Sequence, residues 1–109
     1  MQAVDPFAWT DELGPEKLVH LYDSAVGLQA VLAIDNVACG PAIGGVRMAR
    51  DVSAEEAFRL ARAMTLKNAA AGLPHGGAKA VIAADPRMPE PAKERLVRAF
   101  AFAIRDLVD

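Results

Sequence analysis

Cysteine is almost missing from this chain. Cys39 is the single one in 109 residues, so no internal disulfide framework can form. Histidine is nearly as scarce, with two, and no Cys/His group has the spacing of a metal site. These scarcities predict a reduced, cytoplasmic chain that binds no metal. The formal net charge of −2 leaves no basic excess, and no basic stripe is interleaved with aromatics. General attraction to nucleic acid or to an anionic membrane is therefore not expected. No uninterrupted apolar run is long enough to cross a bilayer. The first residues include Asp5, Asp11 and Glu12 without a basic region or an apolar core, so a secretory leader is not expected either. Internal repeats and low-complexity tracts are also lacking.

What is present is ordinary for a globular fold, with 53% hydrophobic and 24% charged residues. The length predicts one domain over 1–109, with a modest core and little room for a large cofactor. Asp5-Pro6 and Gly14-Pro15 punctuate a turn-rich start, with a short helix expected around Phe7 to Leu13. Leu18 to Tyr22 and Leu28 to Ile34 flank a short connection and predict a hairpin. A further strand is expected from Ala42 to Met48, carrying its own Gly44-Gly45 pair.

Ser53-Ala54-Glu55-Glu56 reads as a capping box, with the Ser53 hydroxyl on the Glu56 N–H and the Glu56 carboxylate reaching back. A helix then runs from about Ala54 to a cap at Gly72. Its inward face is expected to hold Leu60, Ala61 and Met64, with Arg59 and Arg62 in solvent. A fourth strand is expected at Lys79 to Ala84, ended by Asp85-Pro86. A last helix starts near Pro89 or Pro91 and carries Leu96, Val97, Phe100, Ile104, Leu107 and Val108 on one stripe to the chain end. This order predicts an α/β fold, a three-layer-like sandwich whose mixed parallel and antiparallel sheet is flanked by helices.

The segment Met64 to Lys79 carries the chemistry, because two lysines stand twelve residues apart around a glycine-rich turn. Lys67 falls on a stripe with Leu60, Ala63, Met64 and Ala71, which would carry a charge onto an apolar face, where it needs a partner. Lys67 is equally compatible with a helix-terminal lysine favouring the C-terminal dipole. Lys79 opens an apolar run after Gly76-Gly77, where backbone approaches a ligand closely and a desolvated ammonium releases its proton more readily. Taken singly, it also suits an edge-strand lysine that discourages aggregation. His75 reads as a solvated or pocket-lining residue and Cys39 as inert. Gly-Gly-Ala-Lys is not a phosphate-binding loop, since Ala80 follows the lysine and the turn leads into a strand. The G-x-G-x-x-G fingerprint is absent, so no nicotinamide-cofactor site is expected in this chain.

Together, Gly40-Pro41-Ala42-Ile43-Gly44-Gly45-Val46-Arg47-Met48, Met64-Thr65-Leu66-Lys67-Asn68-Ala69-Ala70-Ala71-Gly72-Leu73-Pro74 and Gly76-Gly77-Ala78-Lys79 carry a resemblance. They resemble the N-terminal, dimerisation and substrate-binding domain of the Glu/Leu/Phe/Val dehydrogenases, most closely the leucine and phenylalanine branches, over nearly all the chain from Lys17. The resemblance implies an NAD- or NADP-dependent oxidative deamination of an L-amino acid to a 2-oxo acid and ammonia, and a homodimer or higher homo-oligomer. Lys67 would pair with the substrate carboxylate and Gly44-Gly45 would lie along the substrate. Lys79 would activate the water that attacks the iminium carbon. Ile43 and Met64 would line the side-chain pocket, and Met64 stands where the glutamate branch has a polar residue, which argues for an apolar amino acid. The stretch between Gly45 and Lys67 is a few residues shorter than in leucine-type members, in the loop Ala49 to Val52. The family's catalytic aspartate has no match in Asp106 or Asp109. The isolated chain is thus expected to be inactive, with a stand-alone binding or dimerisation module as the alternative.

Overall fold

The computed structural model describes residues 5–108; Asp109 and the first four residues of the turn-rich start lie outside it. Two strands, β1 (Lys17–Asp23) and β2 (Leu28–Ile34), form the expected antiparallel hairpin, with Lys17 opposite Ile34 and Asp23 opposite Leu28. Gly27, at φ 71°, sits in the connection, where a left-handed backbone suits glycine. The chain then forms β3 (Ala42–Ile43), β4 (Val46–Ala49), the helix α1 (Ala54–Ala70), β5 (Gly76–Ala83) and the helix α2 (Glu90–Ala103).

The last strand in sequence is central in space. β5 pairs antiparallel with β2 on one side and parallel with β3 and β4 on the other. The sheet is therefore mixed, antiparallel across the hairpin and parallel across the α1 crossover. Alternation along β2 and β5 separates two cores. Leu32, Ile34, Ala80 and Ile82 meet Leu96 and Phe100 of α2 on one face. Val31, Ala33 and Val81 meet Ala57 and Ala61 of α1 on the other. Both faces of the central strands are covered, which accounts for the nearly continuous apolar run of β2.

Four local expectations are corrected. The strand expected over Ala42 to Met48 breaks into β3 and β4 at Gly44-Gly45. There β3 pairs with the start of β5 and β4 with its later half, so the chain must shift between registers. β5 itself begins at Gly76 rather than Lys79, because Gly76 and Gly77 pair with β3. Residues 7–13 form turns instead of a short helix, held by Asp11, whose carboxylate accepts from the Leu13 and Gly14 N–H groups. α2 ends at Ala103 instead of running on, and Val97 is exposed beside the buried Leu96 and Phe100.

The buried face of α1 also differs from the expected one. Ala57, Ala61, Thr65 and Asn68 face the sheet, while Leu60 and Lys67 are exposed. Backbone proximity selects this face. A methyl group added at Gly77 would lie 2.2 Å from the Ala61 carbonyl oxygen and 2.3 Å from the Thr65 nitrogen. Helix and strand touch main chain to main chain there, which only small residues on the facing stripe permit. The C-terminal cap forms as expected: Gly72 takes φ 70° and the Leu73 N–H bonds back to the Asn68 carbonyl.

Arg62 departs most from the amphipathic expectation. Instead of facing solvent, its guanidinium is 16% exposed and lies between two carboxylates. Nε donates to Asp35 Oδ2 at 2.7 Å, while the two terminal nitrogens reach the Asp11 oxygens at 2.7 and 2.8 Å. Asp35 follows the apolar run of β2 and is fully buried. The Arg62 guanidinium holds the Asp11 carboxyl well below its usual range, at about 2, and the two carboxylates raise the Arg62 value. Arg62 also lies over the Phe58 ring at 5.1 Å, and Phe58 stacks on Trp9 with centroids 6.1 Å apart. This cluster clamps the N-terminal turns to α1. No helix among the described residues is long and apolar enough to cross a membrane.

Candidate functional site

Gly44 and Gly45 make different contributions where the chain passes β5. A methyl group on Gly44 would lie 1.6 Å from the Ala78 carbonyl oxygen, so the backbones there are in direct contact. A methyl group on Gly45 would instead meet Lys79 Nζ, at 3.5 Å. The Gly45 carbonyl accepts from the Ala80 N–H at 3.0 Å, fixing the register beside Lys79. One glycine permits the crossing, and the next lets the Lys79 side chain approach the backbone closely.

Lys79 lies between Gly77 and Val81 on β5, and both neighbours face α1. It is half-buried and makes no ion pair among the described residues. Lys67, in the last turn of α1, is exposed rather than set on the apolar face, and needs no buried partner. At about 100° per residue, Leu60, Met64 and Lys67 occupy the flank of α1 opposite Phe58 and Arg62. Arg62 is turned toward Asp35 at the end of β2, so the Met64 and Lys67 flank overlooks the β3 and β4 side. Met64 is half-buried there. Ile43, Gly44, Gly45 and Lys79 are brought together where the chain crosses β5, while helical spacing alone sets Met64 and Lys67 on the flank of α1 toward β4.

A cleft of about 600 Å³ opens along the same crossing. Ile43, Gly44, Gly45 and Lys79 border it, together with Leu32, Ala80 and Phe100 from the α2 side. Met64 and Lys67 are not among its walls. The cleft is thus lined mostly by apolar side chains, with Glu16, Lys17 and Lys79 as the charged residues on its border. His75 borders the entry turn, half-buried, with Nδ1 3.1 Å from the Pro41 carbonyl oxygen. Cys39 is free and exposed. The buried Asn68 amide donates to the Gly76 carbonyl at 3.0 Å and anchors the turn between the two lysines.

The pair Arg47 and Glu56 is not apparent from the sequence motifs. The capping box is half-made: Ser53 Oγ accepts from the Glu56 N–H at 3.1 Å. The Glu56 carboxylate, expected to reach back, pairs with Arg47 of β4 instead. The S-x-x-E pattern concealed this, because the same glutamate satisfies both readings. The only signal was the alternation that puts Arg47 on the same strand face as Gly45.

Residues 16–109 match the family described as Glu/Leu/Phe/Val dehydrogenase, dimerisation domain. The chain is 44% identical over 105 residues to a leucine dehydrogenase of Bacillus subtilis (strain 168), covering 93% of the chain and 28% of that protein. Among solved structures, L-tryptophan dehydrogenase from Nostoc punctiforme superposes with a TM-score of 0.78 at 33% identity, over 88% of this chain and 29% of that one. The hetero-hexameric glutamate dehydrogenase from Thermus thermophilus, in its Leu-bound form, gives 0.75 at 37% identity, over 83% and 24%. The chain spans somewhat more than a quarter of the length of the first two and about a quarter of the third. The family match over residues 16–109, the sequence identity to the leucine dehydrogenase and the matching fold over most of the chain have one reading: this chain belongs to the Glu/Leu/Phe/Val dehydrogenase family, through its dimerisation domain.

Proposed function

We propose that this chain is the substrate-binding and dimerisation part of an amino-acid dehydrogenase, acting in the cytoplasm on an apolar L-amino acid and its 2-oxo acid. The observation that carries the reading is the close approach of the half-buried Lys79 Nζ to the Gly45 backbone, at the crossing that borders the cleft. In it, Lys67 pairs with the substrate α-carboxylate, and the Gly44-Gly45 backbone lies along the substrate. Ile43 and Met64 border the side chain, and their apolar surfaces favour aliphatic or aromatic groups over a second carboxylate. In its neutral amine form, Lys79 accepts a proton from the water that adds to the C=N carbon of the oxidised substrate.

A nicotinamide dinucleotide, NAD or NADP, would take the hydride in the parent enzyme. The described residues do not fit it. Dinucleotide pyrophosphates are held at glycine-rich turns that open into helix N-termini, whereas Gly44-Gly45 joins two strands and Gly76-Gly77 opens β5. No step through the nucleotide is assigned to this chain, and the isolated domain is expected to form no NAD(P)H with any L-amino acid. Turnover by the purified 109-residue chain would overturn that expectation. Self-association is proposed through the domain's exposed strands, and a sedimentation mass of one chain at micromolar concentration would refute it.

Titration of the chain with a branched aliphatic 2-oxo acid, followed by amide shifts of Gly44, Gly45 and Lys79, tests the site. Saturable shifts in the wild type that vanish in Lys67→Ala support it. A stable dimer with no such shifts would favour a dimerisation module without substrate binding.

A further inference from the structure

We infer that Arg47 and Glu56 are a positioning pair, which sets the gap between Gly45 and the Lys79 ammonium without touching the ligand. The inference rests on the proposed substrate site and adds two residues to it. Gly45 immediately precedes β4 and lies two residues before Arg47, which stands opposite Val81 in register. On β5, Lys79 and Val81 are likewise two apart, so all four residues share the face covered by α1.

Backbone bonds hold β4 along the sheet, through Gly45 to Ala80 and Ala49 to Ala84. They leave its tilt toward α1 to side chains. Across that gap the described ion pairs include one link, from Arg47 to Glu56. Glu56 is itself fixed, because its N–H is bonded to the Ser53 cap in the first turn of α1. Its second oxygen, Oε2, is buried without a hydrogen-bond partner. The Arg47 side chain is 44% exposed and that of Glu56 29%, so the pair is a partly solvated tie whose carboxylate end is fixed by the helix cap, and it acts on the position of β4 rather than on stability. The peptide at Gly45 moves with Arg47, and Lys79 Nζ faces that peptide. Loss of the Arg47 guanidinium frees β4 to tilt and changes the space in which the ligand must meet the ammonium.

The test uses the 109-residue chain and two readouts. In the ligand-free wild type, a nuclear Overhauser contact between the Lys79 εCH₂ and Gly45 αCH₂ protons is expected. Arg47→Met should lose this contact and weaken 2-oxo-acid binding about tenfold, and Arg47→Lys should regain part of both. The exchanged double variant Arg47→Glu with Glu56→Arg should restore both, because the tie is reversed but intact. An unchanged contact and affinity in Arg47→Met would overturn the inference. So would a double variant that regains the contact but not the affinity, since Arg47 would then bind the ligand directly. If the wild type binds no 2-oxo acid, the proposed function fails, and the Overhauser series alone decides whether the pair sets the gap.

Discussion

Replacing Arg62 with methionine removes the one cation that serves two carboxylates, one of them fully buried. Arg62→Met keeps most of the apolar stem, so packing against Phe58 is largely conserved while both ion pairs disappear. The exposed Asp11 turns back to water at little cost, but Asp35 has no such route. Breaking a buried pair from one side typically costs about 3–5 kcal/mol, because a charge is left uncompensated. A domain of this size has roughly 5–15 kcal/mol of total stability, so the loss is a large share of the whole. With a urea m-value of about 2 kcal/mol/M, the unfolding midpoint should fall by about 2 M. Urea titrations followed by Trp9 fluorescence and by circular dichroism measure it. Trp9 reports the clamp directly through its stacking on Phe58. The double variant Asp35→Leu with Arg62→Met should recover most of the loss, since an apolar pair replaces a half-pair. A midpoint shift of less than about 0.5 M in Arg62→Met would show that water reaches Asp35 and that the clamp contributes little.

The same cluster predicts a pH effect. Asp11 is depressed from 3.8 to about 2, so its contribution to stability is complete above pH 3.8 and is lost as pH falls toward 2. Urea midpoints measured across that window should drop in the wild type and drop less in Asp11→Asn; equal slopes would remove the role of Asp11. Gly44→Ala should prevent folding or displace β3 and β4, because its new carbon would meet the Ala78 carbonyl, and a native-like amide spectrum would refute this. Gly45→Ala should fold with near wild-type stability yet weaken 2-oxo-acid binding, since its methyl occupies the space before Lys79; unchanged affinity would place the ligand elsewhere. Phe100→Ala should lose about 3–5 kcal/mol by opening the core under α2, read as a fall in the urea midpoint.

Patterns with a period were legible in the sequence. The hairpin, the start and cap of α1 and the inward Leu96 and Phe100 of α2 all follow from alternation, capping residues and helical spacing. Contacts between elements were not. A seven-residue strand over 42–48 satisfies the local pattern as well as two short strands do; only the double register against β5 breaks it. Leu60 and Lys67 fall on a plausible helical stripe, and nothing local says that Gly77 will approach so closely that an Ala57, Ala61 and Thr65 face is required instead. Likewise, Arg62 looks like a solvent residue until Asp35 and Asp11, far away in sequence, converge on it. The glycine and lysine motif was legible as a candidate, while the arrangement of Lys79 beside Gly45 and the tie from Arg47 to Glu56 needed the folded chain.

The place of β5 has a consequence for how the domain is made. The hairpin closes from neighbouring residues, but β2, β3 and β4 all await a partner that is translated after α1. Until residue 83 has left the ribosome, three strands present unpaired edges, and the apolar faces of β2 are uncovered. Such late, long-range closure is slow and open to mispairing. Fragments that stop within α1 should therefore collect in aggregates, and a chaperone that shields nascent strands should matter more for this domain than its small size suggests.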